Sequence, residues 1–129
     1  MKSEQHSLRA GFVDFADPTF LVLGEPESFH WLAKQIEGRC AVALDAVPGK
    51  DLARFSIVPT AQEGSVSREG SVLEWQMSSS EAVLVSQQLR VLATSSSPAH
   101  AYLDPASNLA GVQIMASRGE YDPERVFRD

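Results

Sequence analysis

His100, Tyr102 and Asp104 alternate with Ala101 and Leu103 along one short stretch, so all three side chains share a strand face. An imidazole is the usual general base near neutral pH, and a phenol two residues further on can share a ligand with it. At about 3.3 Å per residue the two side chains root roughly 6.7 Å apart. Asp104 then stands roughly 13 Å from His100, too far to chelate one metal with it. Glu74 and Gln76 alternate in the same way with Leu73, Trp75 and Met77, and Gln113, Met115 and Ser117 with Val112, Ile114 and Ala116. Further on, Ser117-Arg118-Gly119-Glu120-Tyr121 sets both charges and an aromatic beside a glycine. Arg118, Glu120 and Tyr121 can form a binding rim there, or simply a solvated exit from the last strand. The candidate binding residues are therefore Glu74, Gln76, His100, Tyr102, Met115, Arg118 and Tyr121.

None of these positions supplies a nucleophile. The chain has no Gly-x-Gly-x-x-Gly, no phosphate loop, no His-Glu-x-x-His and no Gly-x-Ser-x-Gly elbow. His6, His30 and His100 are too dispersed for a metal motif, and Cys40 reads as a small thiol at a strand start. No catalytic residue, metal or cofactor is assigned.

The elements that position these groups follow from periodicity. Residues 1–18 read as a tail or short strand, and Phe20-Leu21-Val22-Leu23 as a buried strand. Phe29, Leu32, Ala33 and Ile36 form an apolar stripe on a helix that opens at Pro26 and takes its left-handed stop from Gly38. Strands follow at residues 40–45 and 52–58. Residues 61–70 read as a polar loop. Val72 to Met77 is a strand, Ser78 and Glu81 are N-terminal helix signals, and Ala82, Val85, Leu89 and Leu92 form a second stripe. Residues 99–104 and 109–117 complete the strands.

The two halves, 19–60 and 71–121, thus share the order strand, helix, strand, strand. Ala43-Leu44-Asp45 matches Tyr102-Leu103-Asp104 at an offset of 59, and Phe55 and Ile57 match Val112 and Ile114 at an offset of 57. A duplication and a coincidence of element order both account for this. The expected fold is α+β: a single-domain two-layer sandwich of 1–129 with one largely antiparallel sheet and both helices on one face. Residues 122–129 are a tail. The face away from the helices then carries the candidate residues, and Leu73, Trp75, Met77, Ala101, Leu103, Val112, Ile114 and Ala116 face the helices.

Composition narrows the function classes. The chain has 129 residues, 43% hydrophobic and 22% charged, as in one globular domain. A net charge of −6 disfavours nucleic acid and anionic membranes, which need Lys and Arg to meet phosphate. The lone cysteine and an N-terminus without an apolar h-region point to the cytoplasm, and no apolar stretch approaches the ~20 residues that span a bilayer.

Leu21-Val22-Leu23-Gly24-Glu25-Pro26-Glu27-Ser28 with Trp31-Leu32-Ala33 resembles the opening of small bacterial toxin-immunity proteins. His100-Ala101-Tyr102-Leu103-Asp104 and Ser117-Arg118-Gly119-Glu120-Tyr121 are similar to segments of short bacterial proteins of that kind. The resemblance implies a bacterial α+β protein that acts by binding a partner, and it carries no site residues over. The expectation is an interaction protein, a homodimer or a neutralising partner of a basic effector, with Tyr102 and Met115 in the contact. The alternatives are a ligand-binding protein or enzyme using His100, Tyr102 and Glu74, and a structural subunit of an assembly.

Overall fold

Alternating residues become strands and the two apolar stripes become helices in the computed structural model, which describes residues 8–15, 17–49 and 52–127. The elements in chain order are β1 (Arg9–Asp14), β2 (Pro18–Leu23), α1 (Pro26–Glu37), β3 (Val42–Gly49), β4 (Leu52–Pro59), β5 (Ser65–Glu69), β6 (Val72–Met77), α2 (Ser79–Thr94), β7 (Ala99–Leu103), β8 (Gln113–Arg118) and α3 (Pro123–Val126). The N-terminal tail up to residue 7 lies outside the described residues. Its continuation is a full strand, β1, and the stretch expected as a polar loop contains another, β5. β1 is the short strand that one of the two readings of this stretch expects, whereas β5 is hidden by weak alternation, and both are held by a neighbouring strand.

The protein is α+β, with one curled eight-stranded sheet in the order β5-β6-β4-β3-β1-β2-β8-β7 and two main helices packed together. The sheet is mixed rather than largely antiparallel. Four antiparallel hairpins, β5-β6, β4-β3, β1-β2 and β8-β7, meet one another through the parallel pairs β4/β6, β1/β3 and β2/β8. Turn signals in a sequence report the hairpins, but which hairpin lies beside which is a long-range matter.

Registers relate the halves position by position. The row Phe12–Phe20–Ile114–Leu103 runs across one end of the sheet, and the row Arg68–Leu73–Phe55–Leu44 runs across the other. β2 and α1 correspond to β6 and α2 at an offset of 53, Phe20 to Leu73. The buried helix positions Ser28, Phe29, Leu32, Ala33 and Ile36 map at that offset onto Glu81, Ala82, Val85, Ser86 and Leu89, all buried. The hairpins β3-β4 and β7-β8 correspond throughout at 59, so Phe55 matches Ile114 and not Val112. Each seam carries a parallel bridge from an equivalent residue, Ala10 opposite Val22 and Val66 opposite Trp75, but the partners Ala46 and Asn108 are three positions out of correspondence.

The main core lies between helices and sheet, with Phe29, Leu32, Ile36, Val85, Leu89 and Leu92 against Phe20, Leu44, Phe55, Trp75, Leu103 and Ile114. Each fully buried side chain of this size contributes about 1.5–3 kcal/mol. A smaller cluster on the opposite face joins Val13, Leu21, Leu23 and Met115, and Val126 and Phe127 pack over it. The expected C-terminal tail is therefore a structural cover, and it begins with Pro123 at a helix start after the capping Asp122.

One helix stop differs from expectation. Gly38 ends α1 at φ −78, and the left-handed residue is Arg39 at φ 58. The Arg39 guanidinium donates to the carbonyls of Ser78 at 3.1 Å and Thr60 at 3.0 Å, holding a conformation that costs a non-glycine residue free energy. No helix of the described residues is long and apolar enough to cross a membrane.

Candidate functional site

Strand pairing sets His100 directly across from Ser117, and the turn after β8 swings Glu120 back over both. The Glu120 carboxylate stands 2.9 and 3.0 Å from His100 Nδ1 and accepts from the Ser117 hydroxyl at 2.8 Å. Partial burial pushes the Glu120 carboxyl up, but the hydrogen bonds from His100 and Ser117 and the His100 charge outweigh it and hold it below the usual glutamate range. A carboxylate cannot donate, so Nδ1 carries the hydrogen and Nε2 is the ring's other, free-standing position. The His100 ring meets Tyr102 edge-on at 5.5 Å between centroids.

This arrangement can hold a polar group at the imidazole. It does not form a nucleophile relay: Ser117 is fully buried and gives its hydrogen to Glu120, not to the ring. Among the described residues no group of three His, Cys, Asp or Glu side chains stands ready to hold a metal ion.

The other expected site residues go elsewhere. Met115 is 2% exposed, sealed with Leu21 and Leu23 beneath the C-terminal segment, so it is no part of an open face. Glu74 and Gln76 sit on β6, with five strands between it and β7 in the sheet order, and Gln76 donates to Glu74 at 3.1 Å. Tyr121 stacks on Phe15 at 5.6 Å. Arg118 donates through Nη1 to the Ser97 carbonyl at 3.0 Å, and its buried Nε has no partner. Of the expected residues, His100 and Tyr102 stand together, joined by Glu120, and Met115 is withdrawn by burial.

A second region starts at the expected helix signals Ser78 and Glu81 and runs onto a side of α2 that the sequence reading did not single out. α2 opens with a capping box in which the Ser78 hydroxyl accepts from Glu81 N–H at 3.2 Å and Glu81 accepts from Ser78 N–H at 2.9 Å. The same carboxylate accepts from Ala106 N–H at 2.6 Å and faces the Trp75 indole N–H at 3.4 Å. It thereby fastens the loop between β7 and β8 to the helix. That loop also bonds to β5, with Val66 N–H on the Ser107 carbonyl at 2.8 Å and Leu109 N–H on the Val66 carbonyl at 2.7 Å.

Beyond this fastening, α2 turns an apolar side to solvent. Leu84 is 62% and Val91 65% exposed, and together with Glu81, Val85, Gln87, Gln88 and Asp104 they line an open groove of about 340 Å³. Gln88 reaches across it to donate to the Tyr102 carbonyl on β7 at 2.9 Å. A signal was present in the sequence: Leu84 and Val91 lie seven apart and off the core stripe, and α2 contains only two ionisable residues, Glu81 and Arg90.

Comparison with known proteins returns nothing to set beside this geometry: no family model, no curated protein and no solved structure matches the chain.

Proposed function

We propose that this protein acts by protein–protein interaction, through the solvent side of α2 next to β7. The observation that carries the reading is a difference between the halves that the fold does not need. At the positions of α1 equivalent to Leu84, Gln87 and Val91 stand Trp31, Lys34 and Gly38. Trp31 packs onto the core, and Lys34 is an exposed charge. On α2 the same side exposes Leu84 and Val91 among uncharged polar residues and borders a groove. Contiguous exposed apolar surface with its charges removed is a mark of contact surfaces, since ions are costly to desolvate. Any globular surface shows a few isolated apolar residues, and those need no explanation. Two aliphatic side chains framing one groove on one helix do.

The symmetry is read as a duplication of one strand–strand–helix–strand–strand unit, extending the strand–helix–strand–strand repeat read from the sequence by the strands β1 and β5. What supports it is the pair of constant offsets, 53 and 59, which relate the strand pairings of the two halves. After a duplication one copy of a surface is free to change, which is what the α2 side displays.

The test compares tagged wild-type chain with Leu84→Glu/Val91→Glu, both checked by circular dichroism, as baits in native lysate that also contains untagged chain. The wild type should retain a protein, its own copy or another, that the double variant loses. Identical sets on both baits overturn the reading.

A further inference from the structure

We infer that the occupant of the α2 groove is a second copy of this chain, with the two α2 helices antiparallel across a two-fold axis near Gln87. The inference rests on the reading of the α2 side as an interaction surface, and it names the partner.

Charge makes the choice. The chain carries −6, so two copies repel over most of their surfaces and need a contact free of ionised groups. The exposed surface of the α2 helix itself meets that need. Its exposed residues are Ser79, Ser80, Val83, Leu84, Gln87, Val91 and Thr94. The helix's two ionisable groups are both engaged: Glu81 is 7% exposed with its carboxylate bonded inward, and Arg90 is held by Glu37 through bonds of 2.6 and 2.7 Å. Asp104, just after β7, also lines the groove and is an exposed carboxylate that the contact must leave in water. A basic effector, the partner that a net acidic chain attracts most readily, gains nothing on such a face. It would be drawn to exposed carboxylates such as Glu25, Glu27, Glu63 and Glu69.

Spacing supplies the self-complementarity that a two-fold contact requires. Leu84 and Val91 are seven residues, two helical turns, apart, about 10.5 Å along the axis. Set antiparallel about Gln87, each Leu84 lies beside Val91 of the second copy, a large side chain against a small one at both ends. The Gln87 amides meet at the centre, where each can donate and accept with the other. Leu84 and Val91 are thus both knob and wall, and the groove between them receives its own copy's ridge.

The experiment is multi-angle light scattering of the full chain over the micromolar range. The wild type should have the mass of a dimer at the upper end, and Leu84→Glu/Val91→Glu should be monomeric throughout, with Leu84→Gln as the milder variant if the double one fails to fold. Tyr102→Ala and His100→Gln, on the sheet side, should leave the dimer intact. In a Cys40→Ser background, Gln87→Cys should give a disulfide-linked dimer under mild oxidation, while Lys34→Cys on the equivalent side of α1 should not. A wild-type monomer at every concentration overturns the inference, and so does a dimer that survives the α2 variants. If the wild type is monomeric but the double variant loses a different retained protein, the interaction reading stands and the second copy falls. If it is monomeric and both baits retain the same set, both fall.

Discussion

Glu37 and Arg90 occupy equivalent positions in the two halves, and they are each other's partners. Arg90 Nη2 donates to Glu37 Oε1 at 2.6 Å and Nε to Oε2 at 2.7 Å, a two-point contact between α1 and α2. Residues related by a two-fold axis can touch only where the axis passes, so this pair marks it. Phe12 and Arg68, equivalent by register, mark it again, with the Arg68 guanidinium carbon 5.7 Å from the Phe12 ring centroid. In an assembly of two identical units such positions would meet their own kind. In this chain they are an acid with a base and a cation with a ring.

The clamp predicts a reversible charge exchange. Bonding to Arg90 is the largest influence on the Glu37 carboxyl and lowers it, and bonding to Glu37 raises the Arg90 guanidinium. Glu37→Arg and Arg90→Glu should each lower the melting temperature by setting like charges together, and the combined exchange should recover most of the loss. Failure of the pair to recover, measured by thermal melts at low salt, would show that the contact is incidental.

Gly64 is required by Glu81. A Cβ built on Gly64 would overlap the Glu81 carboxylate. In the other half the corresponding positions hold Leu8 and Ser28, both buried, a large residue and a small one in the opposite order. Gly64→Ala should destabilise by about 1–3 kcal/mol through overpacking. In the Glu81→Ala background the same change should cost at least ~0.5 kcal/mol less, since neighbours that clash are not additive. Urea melts of the four proteins decide it, and strict additivity counts against the contact.

Leu44 and Leu103 should respond alike. Both are core residues in the equivalent rows of the sheet, at 0% and 6% exposure. Truncation of either to alanine should cost roughly 2–5 kcal/mol. A value for one within about 0.5 kcal/mol of wild type, as for an open surface site, would break the equivalence.

Glu120 gives the molecule an acid-sensitive contact. Its carboxyl is lowered in the folded state, so its contribution is present above the ordinary glutamate value, about 4.3, and is lost as pH falls through the lower folded value. The stability of wild type over Glu120→Gln should therefore shrink between about pH 6 and about pH 3. His100→Gln should show part of the same loss, because it removes one of the two bonds that lower the carboxyl. A gap that widens toward acid would contradict the assignment.

Local patterns determined a good deal of this protein. Alternation in Val72–Met77 and 99–103 assigned Leu73, Trp75, Met77 and Leu103 to the core, and the helical stripes assigned Phe29, Leu32, Ile36, Val85 and Leu89 to it, because a side chain's face depends only on the period of its own element. The Leu44–Leu103 match was legible for the same reason. Tertiary structure decided what meets those faces. The sequence reading left Met115 on an open face, but the last helix closes over it. His100 looked unpartnered, and its carboxylate arrives from twenty residues away on a turn that no period describes. The parallel meeting of hairpins, the axis between Glu37 and Arg90 and the uncovered side of α2 are likewise contacts between elements distant in the chain. Spacing within an element says which residues face together, and only the closing of long loops says against what.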